Sequence, residues 1–512
     1  MTSRILGLVR EQVIAAMFGA GAATDAYNVA FRIPNLLRDL FAEGAMSAAF
    51  VPTFTRYLTT SGRDAAWRLG NYVINALLVV TGILVALAIV FAEPLVAALA
   101  AEGYTNDPEK MALTVQLARI MLPALSFIAV AAALMGMLNS LQHFFIPAFS
   151  PAMFNVVTII CAFALVPLMP VFGLHPIAAI AIGTLLGGVA QTALQWPTLR
   201  REGFRYRPAL SFRDEGVQRV LVLMGPGTVG MAATQLNVFV NTLLATSQVE
   251  GAVSWLNYAF RLMYLPIGLF GVSLATAVLP AVSRYVVEKD IASSRRTIAD
   301  GLALMMMLNL PATVGLMVLA VPIVRVIFEH GEFTAEDTVG TANALRYYAI
   351  GLIAYSVVRI ASPTFYALGK NRIPVIVSLF TVVVNATLNI VLVRVMGYAG
   401  LALGTSIAAI FNACALLVLL RRNLGGLNER HILSSLARIG LASLLMGLAA
   451  EGMQRWVEAA VPGDRIGTQV IHVGLSIAAG LVVLAASAWV LRIREFREAV
   501  AVVMRKLRRR PS

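Results

Sequence analysis

Charge is scarce in this chain. Only 13% of its 512 residues are Asp, Glu, Lys or Arg, against roughly 25% in soluble globular proteins. By contrast 59% are hydrophobic and mean hydropathy is +0.81, a balance that excludes an ordinary soluble domain. Cysteine is rarer still. Cys161 and Cys414 are the only two, both lie in apolar stretches without metal-ligand spacing, and they read as small core residues. The five histidines are scattered, and none pairs with a cysteine or acid at ligand spacing. No GxxxxGK[ST] phosphate loop is present. No secretory signal pattern with a small-residue cleavage site precedes the first apolar stretch.

What the chain has in abundance is apolar runs of the ~20 residues a membrane helix needs. Fourteen are expected, at about 3–20, 26–55, 70–99, 111–140, 146–170, 174–198, 217–246, 252–283, 298–328, 340–368, 373–393, 398–420, 434–457 and 467–491. A β-barrel would show short alternating segments instead. The fold class expected is therefore an all-α polytopic membrane protein.

Net charge is +14, and its placement argues for a membrane rather than nucleic acid as the reason. With the N-terminus inside, loops 56–68, 142–143, 200–219, 284–296, 370–372 and 421–430 and tail 492–510 are also inside. They hold 26 of the 40 Lys and Arg residues, while the opposite loops hold four, Lys110, Arg394, Arg455 and Arg465. The positive-inside rule then places both ends in the cytoplasm. The basic, amphipathic tail RIREFREAVAVVMRKLRRR suits the anionic inner leaflet.

An internal repeat runs through these spans. AFRIPNLLRDLFAEGAMSAAFVPTFTRY (30–57) and AFRLMYLPIGLFGVSLATAVLPAVSRY (259–285) share AFR, LF, a proline and RY. Arg119 with Arg346 and Pro147 with Pro374 repeat at nearly the same offset. The copies start six spans apart, so they share orientation, as in parallel-repeat transporters. The expected organisation is two six-helix lobes, 1–199 and 215–422, two extra helices over 431–492, and a basic tail over 493–512.

The charges that remain within the spans are costly. Arg4, Arg10, Glu11, Arg32, Arg38, Asp39 and Glu43 fall in the first two spans, with Asp25 between. At ~2.5–3.5 kcal/mol each on insertion scales, they represent on the order of 15–25 kcal/mol unless they face one another, water or a ligand. At ~100° per residue, Asn28, Arg32, Asn35, Asp39, Glu43 and Ser47 share one face of the second span, with Arg38 at its edge. Pro34 is expected to kink or unwind that helix. Arg4, Gly7 and Glu11 share a face of the first span. Ser254, Asn257 and Arg261 do so in the eighth, where Ile267, Gly268 and Val272 replace Arg38, Asp39 and Glu43. Excess arginine suits phosphate oxygens, which accept forked hydrogen bonds. The rival reading is that these charges only pair with each other, as Arg38 with Asp39 or Glu43.

The segments FGAGAATDAYNVAFRIPNLLRDLFAEGAMSAAFVP and SWLNYAFRLMYLPIGLFGVSLATAVLP closely resemble the MurJ (MviN) family, lipid II flippases of peptidoglycan synthesis within the superfamily of multidrug and oligosaccharide-lipid exporters. The resemblance covers nearly the whole chain. It implies that Arg4, Arg10, Arg38 and Arg261 bind the diphosphate-sugar head group, that Asp25 is a gate residue, and that Asn35 and Glu43 match further polar positions. Asn35 is thus a candidate ligand, and Glu11, Asp25, Asp39, Glu43 and Ser254 are candidate gate or cavity residues. The last two spans would form a groove for the polyprenyl tail. Implied partners are lipid II and membrane lipids, with cell-wall synthesis proteins as further candidates.

The chain departs from the family in places. Relatives usually carry a dozen or so residues ahead of this start, so the first span is expected to begin upstream or to fray. Phe260 stands where some relatives have an acid. Asn385 and Asn389 offer no carboxylate for sodium, so no cofactor is expected and sodium in the C-terminal lobe has little support. The rival functions are export of another polyprenyl-diphosphate-linked oligosaccharide, drug antiport, a membrane enzyme acting on polyprenyl phosphates, and a scaffold for cell-wall assembly. An enzyme would need an acid cluster with a metal, whereas loop 200–219 has three acids among six arginines.

Overall fold

Within a bilayer each backbone polar group must find its partner inside its own segment, which selects helices from sequences this apolar. The computed structural model describes residues 2–39, 44–463 and 465–497, without side chains at 44–48, 224–234, 269–270, 272–273 and 275–277. Every regular element among the described residues is a helix, as the composition requires. Ten of these helices are long and apolar enough to cross a membrane.

The other four expected spans are the first two of each repeat. Span 3–20 is the helix Thr2–Phe18, only 17 residues long. Span 26–55 is divided between Ala22–Arg38 and Gly44–Thr60. Span 217–246 falls within Glu215–Thr246. Span 252–283 is divided between Ala252–Pro266 and Val272–Val287 by the π-turn Ile267–Gly271.

The helix is not unwound at Pro34, one of the two outcomes expected there; Ala22–Arg38 continues through it for another turn. A proline removes one i→i−4 bond, and membrane helices tolerate that loss where neighbouring groups re-satisfy the freed carbonyl. Glu43 lies outside the described residues, as does the tail beyond residue 497.

The repeat is visible in local geometry. Helix Gly62–Val90 ends at Phe91 with φ −95° and ψ 23°, and a short helix Ala92–Leu99 follows. Helix Ile291–Val318 ends at Leu319 with φ −94° and ψ 21°, and Ala320–Phe328 follows. Arg119 Nε donates to the Ile89 carbonyl at 3.3 Å, and Arg346 Nε donates to the Met317 carbonyl at 3.4 Å. Each arginine thus satisfies a carbonyl that the helix end leaves without an intrahelical donor.

By internal contacts the chain forms two compact units, Met1–Ser254 with His330–Phe333, and Trp255–Glu329 with Thr334–Ser512. The first contains two apolar cores. One joins Tyr27, Ile33, Val96, Leu117, Met121 and Ile180, and the other joins Phe50, Phe54, Trp67, Met137, Phe204 and Val217. Small residues let its helices approach closely: a Cβ on Gly187 would stand 2.8 Å from the Phe154 ring. In the second unit, Val282, Ile298, Met305, Val357 and Phe365 form one core. Glu429–Ala460 and Ile466–Val490 pack through Ile439, Met446 and Leu484 against Met306 and Met307.

Loop chemistry fixes several helix starts. Asp107 accepts from the backbone N–H groups of Glu109 and Lys110, with Pro108 as the first helical residue. Asp214 does the same for Gly216 and Val217, and Thr334 with Asp337 forms a capping box. Arg372–Met396 leaves Ile376, Leu379, Phe380, Val383 and Ile390 exposed, the surface expected of a helix facing lipid.

Candidate functional site

The first helix carries two of its charges, Arg10 and Glu11, inward. Gly7 packs near the Asn155 amide, and Asn155 Nδ2 donates to the Ser3 carbonyl at 3.1 Å. That contact holds Thr2–Phe18 against Phe145–Leu165. Arg10 and Glu11 are both buried, and Arg10 Nη2 lies 2.6 Å from Glu11 Oε1. The Arg10 guanidinium sits 6.0 Å from the Phe31 ring centroid and 5.6 Å from that of Phe154, within cation–π range. Arg4, near the helix start, is exposed although it shares a face with the buried Gly7 and Glu11.

The second helix ends on a second such pair. Arg38 donates from Nε and Nη2 to Asp39 Oδ1 at 3.1 and 2.9 Å. Gln235, on Glu215–Thr246, donates to Asp39 Oδ2 at 3.3 Å. The side chains of this pair keep 28% and 31% of their exposure. Asn35 and Arg32 are half-buried. The pairing of Arg38 with Asp39, the rival reading of these charges, is therefore present in the structure.

Asp25, at the other end of that helix, is almost wholly buried and surrounded by donors. Gly251 N–H donates to Oδ2 at 2.8 Å. Ser254 donates to Oδ1 through its N–H at 3.0 Å and its hydroxyl at 2.6 Å. Lys110 Nζ is 3.7 Å from Oδ2, and it also lies 4.8 Å from the Tyr104 ring. The Ser254 hydroxyl in turn accepts from Asn28 Nδ2 at 3.1 Å.

The first N–H groups of a helix have no intrahelical acceptor and favour a negative charge. Asp25 supplies that charge to the start of Ala252–Pro266. Glu250 returns the service, accepting from the Ala22 N–H at 2.8 Å, the start of Ala22–Arg38. Two repeat-related helices therefore cap each other's N-termini.

Asp25 and Ser254, both singled out in the sequence, are thus brought together, as are Arg10 with Glu11 and Arg38 with Asp39. Lys110, Gln235 and Glu250 were missed. Nothing in the local sequence marks Glu250, whose partner Ala22 lies 228 positions away. Arg261 belongs to the second unit and is exposed there, with Asn257 half-buried one turn earlier. Asn385 and Asn389 are buried, and Asn389 Nδ2 donates to Asn385 Oδ1 at 3.1 Å. Asn385 also lies 3.4 Å from the Thr405 hydroxyl. Among the described residues no three His, Cys, Asp or Glu are grouped to hold a metal ion.

Comparison with known proteins bears on what this arrangement serves. The family model described as "Lipid II flippase MurJ" matches residues 14–466. The probable lipid II flippase MurJ of Rickettsia prowazekii is 35% identical over 80% of this chain and 79% of its own length. The lipid II flippase MurJ of Burkholderia cenocepacia is 36% identical over 82% of each. A solved structure titled "Lipid II flippase MurJ, inward closed conformation" superposes with a TM-score of 0.78 at 29% identity, covering 96% of this chain and 97% of its own. An inward-facing multidrug resistance MATE transporter of the MOP superfamily shares the fold, with a TM-score of 0.72 at 16% identity over 83% of this chain and 96% of its own. The chain belongs to the lipid II flippase MurJ family.

Proposed function

We propose that this protein flips lipid II, the polyprenyl-diphosphate-linked precursor of peptidoglycan, from the inner to the outer leaflet of the bacterial cytoplasmic membrane. The observation that carries this reading, beside family membership, is the pair of arginines held within apolar helices. Arg10 and Arg38 present guanidinium groups of the geometry that binds phosphate oxygens. Arg4 and Asn35 in the first unit, and Arg261 in the second, are proposed as further head-group ligands. Glu11, Asp39 and Glu43 are proposed as cavity residues, and Asp25 with Ser254 as a gate.

The chemistry needed is recognition and release, with no bond made or broken, so the proposal involves no catalytic group, metal or cofactor. Transport proceeds by alternating access of two repeat lobes, 1–199 and 215–422, while the lipid tail lies along the helices of 431–492. Both termini are cytoplasmic. A negative-inside potential favours outward movement of an anion by ~2.3 kcal/mol per charge per 100 mV.

The test is translocation of lipid II in reconstituted vesicles, with and without a membrane potential. Wild-type protein should expose the lipid at the outer face, and Arg38→Ala combined with Arg261→Ala should not. Equal translocation by that variant, or normal growth of a strain depending on it, would remove the head-group role. Transport of another polyprenyl-diphosphate oligosaccharide in place of lipid II would move the assignment to that exporter, and transport of a cationic drug would move it to an antiporter. The arginine excess disfavours the antiporter, since a cation site calls for acids.

A further inference from the structure

Arg10 and Arg38 each hold a carboxylate, and in both cases it belongs to the next residue in the chain. That spacing is unusual for a pair meant to stabilise a helix, because neighbours at i and i+1 do not face each other; stabilising pairs sit at i+3 or i+4. An adjacent acid has a different property. It can take up its arginine's guanidinium, or leave it, by side-chain rotation alone, without moving any helix.

We propose that Glu11 and Asp39 are resident place-holders for phosphate, occupying the guanidinium groups of Arg10 and Arg38 between substrates and yielding to a diphosphate when one arrives. The inference rests on the proposed role of these arginines as head-group ligands.

Three observations support it. Arg10 is buried against the faces of Phe31 and Phe154. A buried guanidinium without an anion is strongly disfavoured, so an anion from the protein itself lets the arginine stay in place throughout the cycle. Asp39 is shared, with Oδ1 on Arg38 and Oδ2 on Gln235, so it keeps an amide partner when it leaves the arginine. Finally, Phe31, whose ring faces Arg10 from the neighbouring helix, lies two helical turns, about 10 Å of rise, before Arg38 on Ala22–Arg38, so one helix links the two stations.

The arrangement confers selectivity. A singly charged free anion offers each arginine little that the carboxylate does not already provide. Linked phosphates offer more charge and more acceptor oxygens, so they displace the carboxylate where chloride or a lone carboxylate does not. Removing the place-holder should tighten anion binding, lower its selectivity and slow release.

The experiment uses full-length protein in detergent, with inorganic pyrophosphate and inorganic phosphate as separate probes, and compares wild type, Asp39→Asn, Glu11→Gln and Arg38→Ala by calorimetry. Asp39→Asn is the primary variant, because its pair is partly exposed and the amide retains the size and the Gln235 contact. It should bind pyrophosphate on the order of ten-fold more tightly than wild type, about one charged hydrogen bond's worth. It should also gain binding of phosphate, and translocate lipid more slowly in vesicles. Unchanged or weaker pyrophosphate binding by a folded Asp39→Asn protein overturns the inference. Pyrophosphate binding by Arg38→Ala equal to wild type overturns instead the reading of Arg38 as a phosphate ligand. Glu11→Gln should repeat the tightening at the second station, with its melting curve showing that it is folded.

Discussion

The Ser254 hydroxyl donates to Asp25 Oδ1 across 2.6 Å while accepting from Asn28 Nδ2 at 3.1 Å. The hydroxyl thus links a buried carboxylate to an amide one turn along the same helix as that carboxylate. Asp25 gathers the Gly251 N–H, both Ser254 donors and Lys110, so its removal leaves several donors without an acceptor at once. Asp25→Ala should cost about 3–5 kcal/mol, the range for breaking a buried charge pair. Ser254→Ala should cost about 1–2 kcal/mol. The double variant should be little worse than Asp25→Ala alone, because the hydroxyl acts mainly through the carboxylate. Thermal unfolding of the purified variants measures all three, and strictly additive costs would disprove the shared network.

Gly331 presents a separate steric test. Its φ is +61°, and a Cβ there would collide with the Ala16 carbonyl. That carbonyl, in the last turn of Thr2–Phe18, accepts from the Glu332 N–H at 3.0 Å. Gly331→Ala combines backbone strain with loss of this bond, and should cost about 2–4 kcal/mol. Gly369 has a similar φ of +71°, but a Cβ there would meet nothing within 4 Å. Gly369→Ala should therefore cost only the backbone term, about 1–2 kcal/mol. Equal melting shifts for the two variants would show that the Ala16 contact contributes nothing.

Arg119 and Arg346 are repeat mates by sequence and do the same job in space, each donating Nε to a carbonyl near the end of the preceding long helix, Gly62–Val90 or Ile291–Val318. Both are exposed, so each alanine variant should cost no more than about 1 kcal/mol, and the two should match within about 0.5 kcal/mol. Both variants should flip lipid at close to the wild-type rate. A large loss of transport in either would place that arginine in the substrate path.

These cases show what could be read from the chain beforehand. Arg10, Glu11, Arg38 and Asp39 stood out because charge within an apolar run is expensive, Asp25 through the matching motif, and Ser254 by sharing a helix face with Arg261. Glu250, Lys110 and Gln235 did not. A charge near a span end is ordinary, and Glu250 meets its partner Ala22 across 228 positions of sequence, where periodicity carries no information. Hydropathy found the long spans but not the helix breaks at Phe91 and Leu319, since apolar composition continues across them. Unwinding at Pro34 was expected for the opposite reason: the lost hydrogen bond is real, yet one missing donor does not end the helix.

The two arginine pairs, one buried and one partly exposed, allow structure and transport to be separated. Arg10→Ala leaves Glu11 buried without its guanidinium, and should cost about 3–5 kcal/mol of stability. Adding Glu11→Gln removes the stranded charge and should recover part of that loss. Arg38 and Asp39 are partly exposed, so solvent can take over, and Arg38→Ala should cost at most about 1 kcal/mol. If both arginines bind the head group, transport should nevertheless fall strongly in Arg38→Ala and remain low in Arg10→Ala with Glu11→Gln. Melting temperature and lipid II translocation are to be measured on the same preparations. Recovery of transport in step with recovered stability would make Arg10 a structural residue only, and wild-type transport by Arg38→Ala would remove it from the site.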